Sequence, residues 1–151
     1  MIIIYYCFAG AHASVVASAI HCGLLPTDRI PSHEEILALP YYDRTLPELI
    51  GQPYLMGEDA RGNSVYFMGL CNQRQQIDNM IRTVLTIAGI HEGKYILQDA
   101  FPLIAFSTKF GGLLSKRYCL TNLGRSMSIW GIQRSYPQFV ELVEKVKRRL
   151  E

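Results

Sequence analysis

Hydrophobic positions along this chain fall into blocks of two periodicities, and the blocks alternate. Residues 2–6 (Ile2, Ile3, Ile4, Tyr5, Tyr6) form an unbroken β-branched and aromatic run, the pattern of a strand buried on both faces. From Ser14 the pattern turns helical, with Val15, Val16, Ala19 and Ile20 on one face and Gly23 as a stop. The small residues Ala13, Ala17 and Ser18 would let this helix lie close to a sheet. Ser32, followed three residues later by Glu35, has the capping-box pattern and predicts a short helix through Leu39. Residues 54–56 and 65–68 flank a polar turn containing Asp59 and Asn63, which predicts an antiparallel hairpin.

Asn72 is the expected cap of the next helix. Ile77, Met80, Ile81, Val84 and Ala88 form its stripe, and Gly89 closes it. Residues 94–98 then read as a strand ending at Asp99. Pro102 suits the first turn of a helix carrying Leu103, Phe106, Phe110, Leu113 and Leu114. Residues 126–130 read as a last strand ended by Gly131. Pro137 opens a final helix with Phe139, Val140, Val143, Val146 and Leu150 inward.

This order predicts one three-layer α/β domain over residues 1–151, with a mostly parallel sheet and one β-hairpin. Ligands of open α/β sheets sit beyond the carboxyl ends of the strands. That rule places residues 7–14, Asp99 and residues 131–134 on one rim, with Arg134 and Tyr136 as weaker neighbours.

Composition narrows the function classes. A chain of 151 residues, 49% hydrophobic, has enough apolar material for one sizeable core. Net charge is +2 and the basic residues are dispersed apart from Lys145, Lys147, Arg148 and Arg149. That cluster suits the C-terminal end of its own helix, and the pattern argues against nucleic acid. No apolar run is long enough to cross a bilayer and no signal-peptide pattern opens the chain, so no membrane partner and a cytoplasmic location are expected. Cys7, Cys22, Cys71 and Cys119 show neither a CxxC pair nor zinc-ligand spacing. Reduced thiols are expected, the last three as small buried hydrophobes.

The candidate chemistry concentrates in the turn after the first strand. A strand that empties into a helix N-terminus offers free N–H groups and the positive end of the helix dipole. Gly10 permits a backbone geometry other residues resist, and Ala9, Ala11 and Ala13 leave the main chain open to a ligand. His12 and Ser14 can donate to an anion; Ser14 can equally cap the helix. The run lacks the lysine of a P-loop and has no arginine where a phosphatase loop needs one, since the fifth residue after Cys7 is His12. Cys7, facing a helix N-terminus, is a candidate nucleophile with His12 as its base; a buried core thiol is the alternative. Asp99 is placed to hold magnesium, the cofactor expected if a nucleotide is bound, or to cap the next turn. Lys109 and Arg125 are the candidate anion-neutralising cations. Asp59 with Asn63 reads as turn chemistry, and His21 as packing or surface.

The leading expectation is therefore a protein that binds a phosphorylated metabolite or nucleotide at this turn, through Gly10, Ala11, His12, Ala13 and Ser14. Phosphoryl transfer or hydrolysis would use Cys7, His12 and Asp99. A second reading is a non-enzymatic interaction module whose contact surface is the proline-rich stretch 39–53 with Tyr41, Tyr42 and Tyr54. A third is a Cys7-dependent thiol enzyme. Each is compatible with a homo-oligomer.

Residues 3–14 resemble the opening of a family of short, uncharacterised bacterial proteins, a domain of unknown function found mainly in spore-forming Gram-positive bacteria. Arg29-Ile30-Pro31, residues 39–43, 57–59 and 62–66, 111–115, Leu123-Gly124-Arg125 through Gly131, and Tyr136-Pro137 extend the resemblance over nearly the whole chain. It implies no activity, cofactor or catalytic residue. Family members would carry a second glycine and a hydroxyl residue around the turn, where this chain has Ala9 and Ala11.

Overall fold

The computed structural model describes residues 1–44, 50–103 and 121–150, with side chains from residue 125 onward in the last stretch. Strand β1 (Ile2–Cys7) lies inside a four-stranded sheet of order β2-β3-β1-β4. It pairs in parallel with β3 (Ser64–Gly69) and with β4 (Tyr95–Asp99), whereas β2 (Tyr54–Glu58) pairs antiparallel with β3 as the expected hairpin. Alternation along β1 divides the core. Ile3, Tyr5 and Cys7 face helices α1 (Ala13–His21), α2 (His33–Leu37) and α4 (Thr121–Arg148), while Ile4 and Tyr6 face α3 (Arg74–Ile87). The sheet is thus the middle of three layers.

Helix α1 is buried along its whole length, between the sheet and α4. Its small residues permit that close approach. Val15, Val16 and Ile20, all fully buried, stabilise the layer by about 1.5–3 kcal/mol each. Gly23, at φ 73°, ends the helix with its N–H bonded to Ile20 and the Leu24 N–H to Ala19. The capping box holds as expected: the Glu35 N–H donates to Ser32 Oγ, and Ser32 N–H to the Glu35 carboxylate.

Four expectations are corrected. Asn72 caps nothing, because a single 3-10 turn (Cys71–Gln73) leads into α3 with no side-chain cap. The α3 stripe is Ile77, Ile81 and Leu85, and Met80 and Val84 stand 58% and 57% exposed. Residues 126–130 are helical rather than a strand. Ile129, Ile132, Tyr136, Phe139, Val143 and Val146 form one buried stripe at helical spacing, which outweighs the local alternation. Pro137 consequently lies within α4, on its exposed side, where the carbonyl it leaves unbonded can be solvated. The helix expected after Pro102 falls mostly outside the described residues; Phe101–Leu103 form a 3-10 turn.

Candidate functional site

The carboxyl ends of β1, β3 and β4 meet at Cys7, Gly69 and Asp99. Helices α1 and α3 begin at this same rim. Strand pairing continues into the turn, since Leu70 N–H donates to the Cys7 carbonyl and Cys71 N–H to that of Phe8, both at 2.9 Å. Gly10 adopts φ 67°, and a Cβ there would lie 2.7 Å from the Gly69 nitrogen. One on Gly69 would lie 2.6 Å from the Ala9 carbonyl carbon. The turn and the end of β3 touch backbone to backbone, so both positions require glycine.

Cys7 lies beneath the turn, 2% exposed. Gly10 N–H donates to its sulfur at 3.3 Å, and Ser14 Oγ lies 3.1 Å from it. Ser14 is therefore neither a helix cap nor a side chain open to a ligand; it is fully buried against the thiol. The position before α1 is taken by His12, which makes no side-chain cap bond, and the first turn of α1 holds no acidic residue. The helix end keeps its positive character.

His12 points sideways. Its Nε2 lies 3.1 Å from Asp43 Oδ1, and its ring meets the edge of Tyr42 at 5.2 Å between centroids. With the carboxylate as acceptor, Nε2 carries the proton and Nδ1 is left for another partner. Arg125 Nε donates to the other Asp43 oxygen at 2.9 Å. Asp43 is held by its backbone too, its N–H bonding the Ala11 carbonyl at 2.9 Å. It adopts φ 55°, a left-handed conformation that aspartate tolerates better than most residues. Burial raises its carboxyl pKa, but hydrogen bonds and charge from His12 and Arg125 outweigh it and hold the group below the ordinary range. Behind this pair, Tyr42 OH lies 3.0 Å from Ser128 Oγ, which donates to the Arg125 carbonyl. Of the tyrosines expected on a contact surface, Tyr42 is buried, whereas Tyr41 is 37% exposed; Tyr41 and Tyr54 also pack on Phe67.

The structure therefore unites Cys7, Gly10, Ala11, His12, Ala13, Ser14 and Arg125, and adds Asp43. Lys109 lies outside the described residues. Asp99 stands on the same rim, with Oδ1 accepting from Phe101 N–H at 2.8 Å and Oδ2 lying 3.5 Å from Arg74 Nε. That donor set suits a turn cap and an ion pair better than a magnesium site. Among the described residues, no three His, Cys, Asp or Glu side chains gather closely enough to hold a metal ion. Gly131 and Arg134 belong to α4 rather than to a strand end, and Tyr136 donates to the Pro26 carbonyl at 2.6 Å. Of the other thiols, Cys22 and Cys71 are half-buried and free, and Cys119 lies outside the described residues.

Arg74 escaped the sequence reading, and so did the partners of the packed His21. Arg74 reaches the rim, bonding the Cys71 carbonyl at 2.7 Å with its guanidinium 3.8 Å above the Phe101 ring. At the opposite end of the sheet, His21 is buried, with Nδ1 2.7 Å from Tyr5 OH and Nε2 3.3 Å from Asp59 Oδ2. Burial lowers the His21 pKa against the opposing bond to Asp59. Burial would raise Asp59, but bonds from Asn63, Arg61 and His21 hold it at about 2. His21 and Asp59 border a cavity of about 300 Å³, which Cys22, Arg61, Glu144 and Lys147 also line. The expected turn chemistry of Asp59 and Asn63 is present as well.

Among the described residues, no helix is long and apolar enough to cross a membrane. No curated protein and no solved structure matches the chain. A family model does match, over residues 2–148, and it carries the description "protein of unknown function". A match over nearly the whole length accounts for the likeness seen in residues 3–14 and beyond, and the chain belongs to that family, DUF3189.

Proposed function

We propose that this protein binds a phosphorylated small molecule at the turn between β1 and α1. One observation carries the reading. The N-terminus of the buried helix α1, free of a side-chain cap and of acidic residues, lies beside the His12–Asp43–Arg125 cluster. Backbone N–H groups supply directional donors and the dipole supplies positive potential. Arg125 adds a charge that stays in place because Asp43 anchors only its Nε, leaving the terminal nitrogens for an anion. His12 presents Nδ1 while Asp43 fixes its ring, which suits proton transfer to or from a phosphate ester during transfer or hydrolysis.

Calorimetric titration with inorganic phosphate and with phosphate esters tests this. Arg125→Ala should weaken binding about tenfold, the loss of one charge-assisted hydrogen bond, and His12→Ala should weaken it less, the loss of a neutral bond accepted at Nδ1. Unchanged affinity in both variants, with native circular dichroism, refutes the site.

A second reading has its own observation. Gly10 N–H donates to Cys7 Sγ and the Ser14 hydroxyl lies 3.1 Å from it, contacts that would orient a thiol nucleophile. It predicts faster iodoacetamide labelling of Cys7 in the wild type than in Ser14→Ala. Labelling of Cys7 only upon unfolding removes it.

A further inference from the structure

The rim carries an aromatic surface that anion binding leaves unused. Phe8, the first residue of the turn, is 38% exposed although it directly follows the buried residues Tyr5, Tyr6 and Cys7. Its ring lies 6.4 Å from that of Phe101, tilted by 37°. Arg74 covers Phe101 at 3.8 Å, and Asp99 both pairs with Arg74 and receives the Phe101 N–H. Phe101 is thus fixed by a stacked guanidinium and a capped turn, and it supports Phe8 from one side. The main chain of Phe8 is fixed by its carbonyl, which accepts the Cys71 N–H at 2.9 Å, and its ring rests against Phe101. An ordered aromatic ring left open to solvent is what a base-stacking platform requires.

We infer that the phosphorylated ligand is a mononucleotide, its base stacked on Phe8 and its phosphate at the N-terminus of α1. This rests on the anion site proposed above and extends it. Phe8 and His12 stand at the two ends of one turn, so a single ligand with a flat ring and a phosphate spans what one backbone segment presents. Gly10 and Gly69 lock that segment in shape, which keeps the two ends in fixed relation. A phosphosugar would leave the ring unused. The dispersed charge of the chain fits a mononucleotide better than a longer strand.

The test is calorimetric titration of the whole chain with AMP, ribose 5-phosphate, adenosine and a short oligoadenylate, with ligand NMR of the adenine protons. AMP should bind at least about tenfold more tightly than ribose 5-phosphate, with its base protons shifted upfield by the ring. Phe8→Ala and the volume-preserving Phe8→Leu should bring AMP to the level of ribose 5-phosphate and abolish the upfield shift, whereas Phe8→Tyr should retain both. Equal affinity for AMP and ribose 5-phosphate, or an AMP preference that survives Phe8→Leu, overturns the mononucleotide assignment and leaves the anion site standing. Adenosine binding with no response to ribose 5-phosphate supports the platform and refutes the anion site. Tighter binding of the oligoadenylate than of AMP overturns the mononucleotide assignment, and silence from every probe refutes platform and anion site together.

Discussion

Replacing Asp43 with asparagine removes one charge and little else. Asparagine matches the shape and tolerates the left-handed backbone at φ 55°, and the bond from the Asp43 N–H to the Ala11 carbonyl stays. Lost are the charge-assisted bonds at 3.1 Å to His12 and 2.9 Å to Arg125. The Arg125 side chain is 39% exposed, so solvent screening limits its share to about 0–1 kcal/mol. His12 and Asp43 are 13% and 11% exposed, and their bond is worth about 1–2 kcal/mol. Asp43→Asn should therefore cost about 1–3 kcal/mol, or a fall in Tm of about 2–12 °C for a domain of this size. Asp43→Ala should cost about 1 kcal/mol more, because alanine resists the left-handed conformation. Differential scanning calorimetry at neutral pH measures both. The pH dependence has a definite sign. The folded-state pKa of Asp43 lies below the ordinary value of about 3.9, so its stabilisation is complete above that value and lost as pH falls through the folded one. The gap between wild type and Asp43→Asn must close in acid. An asparagine variant as stable as wild type at pH 7, or a gap unchanged near pH 2, would refute the placement of Asp43 as the anchor of His12 and Arg125.

Gly10→Ala should destabilise by about 2 kcal/mol or more in urea unfolding, since it combines a positive φ with a Cβ 2.7 Å from the Gly69 nitrogen; a loss under 0.5 kcal/mol contradicts that contact. Tyr5→Phe leaves the buried Nδ1 of His21 without its partner and should cost about 1–3 kcal/mol by the same assay. The His21 pKa is lowered in the fold, so unfolding takes up a proton. Its stabilisation is full above the unfolded value of about 6.5 and declines as pH falls toward the folded one. Denaturant midpoints from pH 7.5 to 5 should therefore fall in the wild type and flatten in His21→Gln.

Much of this architecture is legible without a structure. A β-branched run, a small-residue helix closed by Gly23, a serine–glutamate box and a turn with Asp59 and Asn63 each depend on contacts within a few residues. Such contacts obey local rules. The turn of residues 7–14 was legible for the same reason, because a strand, a glycine and a helix start adjoin in the chain. The α4 misreading has the opposite cause. Ser126-Met127-Ser128-Ile129-Trp130 alternates like a strand, and only packing of Ile129 with Ile132, Tyr136 and Phe139 on α1 and the sheet favours the helix through Pro137. In α3, Met80 and Val84 share the spacing of Ile77 and Ile81, and the position of the sheet selects between two adjoining faces.

The sequence by itself determined the layers, the parallel strands with one hairpin, and the tight turn around Gly10 and His12 that joins the first strand to the first helix. Only the tertiary structure decided what surrounds that turn. Asp43 comes from 31 residues beyond His12, and Arg125 from 82 beyond Asp43. It also set Ser14 against the buried thiol, and joined Tyr5, His21 and Asp59 from a strand, a helix and a turn. Periodicity records how a segment meets its own neighbours, whereas a hydrogen bond between distant segments depends on where the whole core brings them together.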